Sequence, residues 1–287
     1  RTIALATATR ISRRWAPMKP SKPMESRRVE GTAFQVHGEG AETAIVLIHG
    51  VGMDQRAWQP QLAALSRQHR VVTYDMLGHG ESRLPAEGVQ LADFAAQLLQ
   101  LLDHLQIAQA HIVGHSMGAL VALEFALAHP ERCARLLALN AVFQRSPAQR
   151  AAVLERARLL QSDGVAATVD STIERWFGAP VPAHLREIAA LTTDILADVN
   201  AQGYARAYRL FATSDAVHAS RLPQLAMPAL FMTGEGDPNS SPAMSQAMAA
   251  LAPRGQAQAV PGARHMMNLT DAEAVNARLL RFVGAAA

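Results

Sequence analysis

Past residue 28 the chain alternates short, continuously apolar runs with stretches of helical spacing. "AIVLIHG" (Ala44–Gly50), "RVVTYD" (Arg70–Asp75), "AHIVGHS" (Ala110–Ser116) and "LLALNAVF" (Leu136–Phe143) read as strands. "WQPQLAAL" (Trp58–Leu65) and Met117–His129 read as helices between them, as does "LADFAAQLLQLLDHL" (Leu91–Leu105), with Phe94, Leu98, Leu101, Leu102 and Leu105 on one face. Strands apolar on both faces, separated by helices, indicate a parallel sheet covered on both sides. The rhythm breaks over residues 144–221, which are helical in pattern throughout. It resumes with "PALFMTG" (Pro228–Gly234) and "GQAQAVPG" (Gly255–Gly262) and closes on the helix "DAEAVNARLLRFV" (Asp271–Val283). The pattern predicts an α/β fold: a mostly parallel central sheet, helices on both faces, and a helical lid inserted before the last two strands. The core then comprises residues 29–143 and 222–287, and the lid residues 144–221.

Charge adds one feature. The chain has 27 basic and 24 acidic residues, and residues 1–28 hold eight of the basic ones against Glu25 alone. The remainder therefore carries 19 basic and 23 acidic residues, so the basicity belongs to a tail. With Pro17, Pro20 and Pro23 and no apolar period, that tail reads as poorly ordered. It starts without methionine, and it reads as an upstream extension of a protein beginning at Met18 or Met24, with a mitochondrial-type presequence as the alternative. The body shows no basic stripe with interleaved aromatics, which argues against nucleic acid. No apolar run reaches the ~18 residues of a membrane span. The single cysteine, Cys133, excludes an internal disulfide and favours a reducing, cytoplasmic setting; it reads as a half-buried thiol on a helix flank.

Candidate chemistry centres on Gly114-His115-Ser116-Met117-Gly118. Serine favours neither strand nor helix, yet Ser116 sits at the corner between the two with a glycine two positions to either side. G-x-S-x-G at a strand–turn–helix junction presents a hydroxyl at the N-terminus of a helix, where backbone N–H groups favour a developing anion.

These residues resemble the α/β-hydrolase fold superfamily over roughly residues 30–285. The nucleophile elbow falls on Gly114–Gly118. The "HG" oxyanion turn falls on His49-Gly50-Val51-Gly52, and "YDMLGHGES" (Tyr74–Ser82) is similar to the family's turn after the next strand. The resemblance implies a triad in the order serine, acid, histidine, which places the acid at Asp237 in "TGEGDPNSSP" and the base at His265 in "PGARHMMNL". Glu235 is the weaker candidate acid. Asn140 and Gln144, after the preceding strand, offer none. His49, His79 and His115 sit in motif turns as backbone hydrogen-bonding groups, and His37, His69, His104, His111, His129, His184 and His218 read as surface or lid residues. The implied oxyanion donors are the backbone N–H groups of Val51 and Met117.

No metal-ligand spacing and no phosphate or dinucleotide loop is present, so neither metal nor cofactor is expected. Met53, Met117, Met266 and Trp176, with Phe177, are expected to wall an apolar acyl pocket. One of Arg145, Arg175, Arg206 or Arg209 could clamp a substrate carboxylate. The lid resembles those of small-molecule carboxylesterases and enol-lactonases, which implies a small ester or lactone as substrate. Hydrolysis of a C–C bond in a dienoate or β-diketone stays open, and so does a ligand receptor on the same fold.

Overall fold

The computed structural model describes residues 27–40 and 42–284, so the expected disorder of residues 1–26 lies outside the described residues. In chain order the elements are β1 (Arg27–Val29), β2 (Thr32–His37), β3 (Glu42–Ile48), α1 (Gln59–Leu65), β4 (His69–Tyr74), α2 (Leu91–His104), β5 (Ala110–His115), α3 (Met117–Ala128) and β6 (Cys133–Leu139). They continue with α4 (Pro147–Asp163), α5 (Ala166–Phe177), α6 (Arg186–Asp198), α7 (Ala201–Thr213), β7 (Ala229–Gly234), α8 (Pro242–Leu251), β8 (Gly255–Val260), α9 (Met267–Thr270) and α10 (Ala272–Val283).

Eight strands form one sheet in the order β1-β2-β4-β3-β5-β6-β7-β8. β3 to β8 run parallel, and β1 and β2 add an antiparallel edge. The fold is the expected α/β sheet with helices on both faces, and α4–α7 lie between β6 and β7 in the chain. The continuous apolar runs have a simple cause. Successive strand residues point to opposite faces, and both faces are covered. Val46 and Ile48 pack with α2 and α3, while Ile45 and Leu47 pack with α1 and α10; β6 divides the same way, Leu136 and Ala138 from Leu137 and Leu139. Helix α3, nine of whose twelve residues are buried, is apolar all round because it lies between the sheet and other helices.

Three details differ from the sequence reading. Arg27 and Arg28, assigned to the tail, pair with Phe34 and Ala33 in the β1–β2 hairpin. β6 ends at Leu139, not Phe143, because Asn140 turns into the left-handed region at φ 51° and its N–H bonds to Met232 O. Cys133 begins β6 with its thiol fully buried, not on a helix flank, and burial pushes that thiol up to about 12.

Candidate active site

The elbow explains its two glycines. Ser116 is held at φ 55° and ψ −116°, a conformation that costs an L-residue on the order of 1–3 kcal/mol and persists only when its surroundings enforce it. The Ser116 N–H is fixed on Leu139 O at 2.8 Å. A Cβ at Gly114 would strike the carbonyl of Gly118, and one at Gly118 would strike the carbonyls of Ile48 and His49. Nothing larger than hydrogen fits at either position, so the helix starts directly against the sheet with the serine at its tip.

The structure brings Ser116, His265 and Asp237 together. Ser116 Oγ lies 3.1 Å from His265 Nε2, and His265 Nδ1 lies 2.8 Å from Asp237 Oδ2. Asp237 leaves the end of β7, His265 follows β8, and parallel strands bring both to the edge that carries Ser116. All three are nearly buried. Asp237 Oδ2 also accepts from Ser240 Oγ at 2.6 Å and Asn140 Nδ2 at 2.8 Å, and its Oδ1 accepts from the Asn239 N–H at 2.8 Å. Burial alone would raise the Asp237 carboxyl. The His265 ring beside it and the hydrogen bonds from His265, Ser240 and Asn239 outweigh burial and hold it well below the usual carboxylate range. Glu235 instead accepts from the Gly262 N–H at an exposed position.

His265 is held from behind by His115, whose Nε2–H donates to the His265 carbonyl at 2.8 Å. Burial pushes the His115 ring down to about 3, which keeps it neutral. Trp176 lies alongside the His265 ring, centroids 5.8 Å apart and planes 30° apart.

The Val51 turn meets the elbow closely: a Cβ at Gly50 would stand 3.3 Å from Ser116 Cβ. Gly52 has φ 79°, where only glycine is unstrained, and Tyr204 of α7 packs on it. Met117 is the first residue of α3, so its N–H has no intrahelical acceptor. The turn carrying Val51 and the first turn of α3 carrying Met117 thus both adjoin Ser116.

A cavity of about 130 Å³ opens on Ser116 and His265. Trp176 lines it. Met53, Met266 and Phe177 do not: each is buried in the core, and Met117 likewise turns its side chain inward. The wall is more polar than expected. Arg145, Gln149 and Arg156 reach it from the chain around α4, Arg175 from α5, and Tyr208 and Phe211 from α7. Arg145 lies over the Phe211 ring at 4.5 Å and pairs with Asp215 at 3.5 Å, while Arg206 and Arg209 line a separate groove. Sequence reasoning missed Arg156 and Gln149, which carry no local signal. It saw Asn140 only as a missing acid.

Among the remaining histidines, three differ from the surface reading. His69 and His111 are buried beside one another at the far end of the sheet, and burial pushes His111 down to about 4. His218 is buried and bonds Glu124 at 2.9 Å. Among the described residues no group of three or more His, Cys, Asp or Glu is arranged to hold a metal, and no helix is long and apolar enough to cross a membrane.

Known proteins resemble the chain over most of its length. The chain is 37% identical over 257 residues to (E)-2-((N-methylformamido)methylene)succinate hydrolase of Acinetobacter baylyi, covering 89% of this chain and 95% of that one. It is 35% identical over 215 residues to 3-oxoadipate enol-lactonase 1 of the same organism, covering 74% and 78%. Among solved structures, the enol-lactonase from Burkholderia xenovorans LB400 superposes with a TM-score of 0.82 at 29% identity, covering 91% of this chain and all of that one. Residues 43–272 match the family described as alpha/beta hydrolase fold, and the chain is a member of that family.

Proposed function

We propose that the protein is a serine hydrolase that cleaves a small carboxylic ester or lactone through an acyl-enzyme. The observation that carries this reading is the unbroken chain Ser116 Oγ–His265 Nε2–His265 Nδ1–Asp237 Oδ2, at 3.1 and 2.8 Å, opening on a cavity.

In this reading Ser116 Oγ attacks the carbonyl carbon while its proton passes to His265 Nε2. The carbonyl π-electrons move onto oxygen, and the N–H groups of Val51 and Met117 stabilise the oxyanion. The tetrahedral intermediate collapses, the bond to the leaving oxygen breaks, and His265 returns the proton to that oxygen. A water then repeats the sequence on the acyl-enzyme, giving the acid and free Ser116. Asp237 stays ionised throughout and holds His265 Nδ1, which fixes the tautomer and stabilises the transient imidazolium. No cofactor enters this scheme.

A second reading, cleavage of a bond to nitrogen by the same steps, is favoured by the 37% identical relative, whose name contains an N-methylformamido group. Two experiments test the proposal. A fluorophosphonate should label Ser116 in wild type and leave Ser116→Ala unlabelled. A profile over an ester, an enol-lactone, an N-acyl enamine and a vinylogous diketone should show turnover of one of the first two. Folded protein that takes no label and cleaves neither would sink the reading, and turnover of the diketone alone would move it to C–C hydrolysis.

A further inference from the structure

The end of the sheet opposite Ser116 carries a groove that plays no part in the reaction described above. It lies between α10 and the N-terminal parts of β6 and β8, and its volume of about 470 Å³ is in the range of small-molecule sites. Four guanidinium groups line it, those of Arg135, Arg254, Arg278 and Arg281, together with the amides of Gln256 and Gln258. Among the described residues that line it there is no carboxylate. Residues 29–287 hold 19 basic residues against 23 acidic ones, so four cations around one concavity are not a sample of the surface at large.

Strand register produces the cluster. Leu136, Ala229 and Gly255 stand side by side on β6, β7 and β8. Arg135 and Arg254, each one residue earlier, therefore flank Pro228 about 10 Å apart, two strand spacings. Arg278 and Arg281 are three residues apart on α10 and share one face of it. The Arg254 and Arg281 side chains make no hydrogen bond or ion pair with a described residue, and Arg278 spends Nη1 on Ala274 O, a neutral partner. Arg135 is the buried member, and its guanidinium lies over the Phe282 ring at 5.5 Å. Its charge reaches His111, its neighbour on β5, and helps to keep that ring neutral. The helix dipole favours a cation in the last turn of α10, which accounts for Arg281. It does not account for Arg135 and Arg254, which come from two other segments.

We propose that this groove binds a chain of phosphate groups, either a free oligophosphate or the phosphate tail of a nucleotide. The site is independent of the hydrolase reading. Arg135 precedes Leu139, whose carbonyl holds the Ser116 N–H, by four residues, about 13 Å along β6. Phosphate fits the groove for two reasons. A guanidinium fork takes phosphate oxygens two at a time. A phosphate chain also presents several charges in a short length, which four separated cations require. Burial of Arg135 selects a compact ligand over a macromolecule. An anion that enters the groove can reach it, whereas a flat acidic surface would meet Arg254 and Arg281 and miss it. Gln256 and Gln258 stand at alternate positions of β8, on one face, where their amides can donate to further phosphate oxygens.

The test is calorimetric titration of the whole chain with tripolyphosphate at pH 7.5 and low salt. Tripolyphosphate should bind one to one, about 10-fold or more tighter than monophosphate or succinate. Arg278→Gln and Arg281→Gln should each weaken it by about 10-fold, the loss of one charge-assisted contact, and the double variant by more. Both side chains reach solvent, so the fold should survive, which the melting temperature checks. Arg156→Gln in the active cavity and Arg209→Gln on the lid should keep wild-type affinity. ATP binding as tightly as tripolyphosphate would point to the phosphate chain alone, and ATP binding clearly tighter would point to a nucleotide; either supports the site. Absence of one-to-one binding at millimolar tripolyphosphate would overturn the proposal. So would full affinity in the double variant, or an equal loss in Arg156→Gln. Hexaglutamate binding tighter than tripolyphosphate would overturn it as well, and would mark the groove as a contact for an acidic protein segment. Should the variants not fold, phenylglyoxal modification of wild type decides. Tripolyphosphate should shield Arg278 and Arg281 but not Arg209, and equal modification with and without it would overturn the site.

Discussion

His79 accepts a hydrogen bond from the Gly52 N–H at 3.0 Å, across 27 residues of sequence. A nitrogen that accepts carries no proton, so the His79 proton sits on Nδ1 and is donated to Leu77 O at 3.0 Å. His49 does the converse: its Nδ1–H donates to Gly50 O at 2.8 Å, and its Nε2 accepts from the Met76 N–H at 2.9 Å. Each loop thus lends a neutral imidazole to the backbone of the other, and the rings meet edge to face at 5.2 Å. The brace fixes Gly52 and, one residue before it, the Val51 N–H proposed as an oxyanion donor.

Removing the acceptor at 79 should therefore loosen that donor. His79→Phe leaves the Gly52 N–H buried and unpaired, at a cost of about 1–3 kcal/mol. We expect kcat to fall about 10–10²-fold with KM within a few-fold, since an oxyanion donor acts mainly in the transition state. His79→Gln, which restores an acceptor, should recover part of the loss. A KM effect larger than the kcat effect would show that His79 serves substrate binding instead.

The same burial predicts acid sensitivity of the fold. Burial pushes His79 and His115 down to about 3 and His111 to about 4, from the ordinary 6.5. Below about pH 6.5 the unfolded chain takes up these protons and the folded chain does not, so stability falls as pH drops towards 4. Each group contributes a slope of about 1.4 kcal/mol per pH unit in that window. Asp75, pushed up by burial, opposes this: as pH falls through its raised value the folded chain takes up that proton before the unfolded chain does. Urea midpoints measured from pH 7.5 to 4.5 should decrease steadily, and a flat profile would show that the three rings are protonated in the folded state.

What the sequence made legible follows from locality. The elbow, the His49–Gly52 turn and the acid and base after β7 and β8 lie in short segments whose glycines, strand ends and order suffice to place them. The β1–β2 hairpin escaped notice because "RRV" and "TAFQVH" are short and lie beside a basic tail, without the doubly apolar signature of the buried strands. Helix α8 escaped because "PAMSQAMAAL" presents small residues in place of a clear apolar stripe. The cavity wall was the least legible part. Which arginine of α4 or α5 faces Ser116 depends on how those helices dock, for example on the backbone contact between Gly203 of α7 and Gly78. The methionines expected there face the core because the segments carrying Met53, Met117 and Met266 are themselves buried beneath the site.

Asn140 supplies a test of the acid's surroundings. Its Nδ2 donates to Asp237 Oδ2 at 2.8 Å, on the same oxygen that faces His265. Asn140→Asp would set two carboxylates at hydrogen-bond distance, and one of them would hold its proton well above the usual range. A carboxyl with a raised folded-state pKa stabilises the fold at low pH and loses that contribution as pH rises through it. The variant should therefore melt lower than wild type at pH 8 and approach it at pH 5, with kcat depressed most where both groups are forced to ionise. An unchanged melting difference across that range would mean that the new carboxylate turns away from Asp237.

The triad itself should behave as one device. Ser116→Ala removes the attacking oxygen and His265→Ala removes the base 3.1 Å from it, so each should lower kcat by roughly 10⁴-fold or more. The double variant should be little worse than either alone, because half of the pair is of no use without the other. Asp237→Asn leaves both reacting groups in place but offers His265 Nδ1 an amide where a carboxylate stood, so the ring loses its tautomer and its counter-charge. A loss on the order of 10²–10⁴-fold is expected. KM should move little in all three, since none of these groups is assigned ground-state binding. Glu235→Gln is the control, because its carboxylate faces the Gly262 N–H on the surface, and it should stay within a few-fold of wild type. Equal damage from Glu235→Gln and Asp237→Asn, or substantial activity in His265→Ala, would show that the three residues the fold brings together are not the ones that carry the reaction.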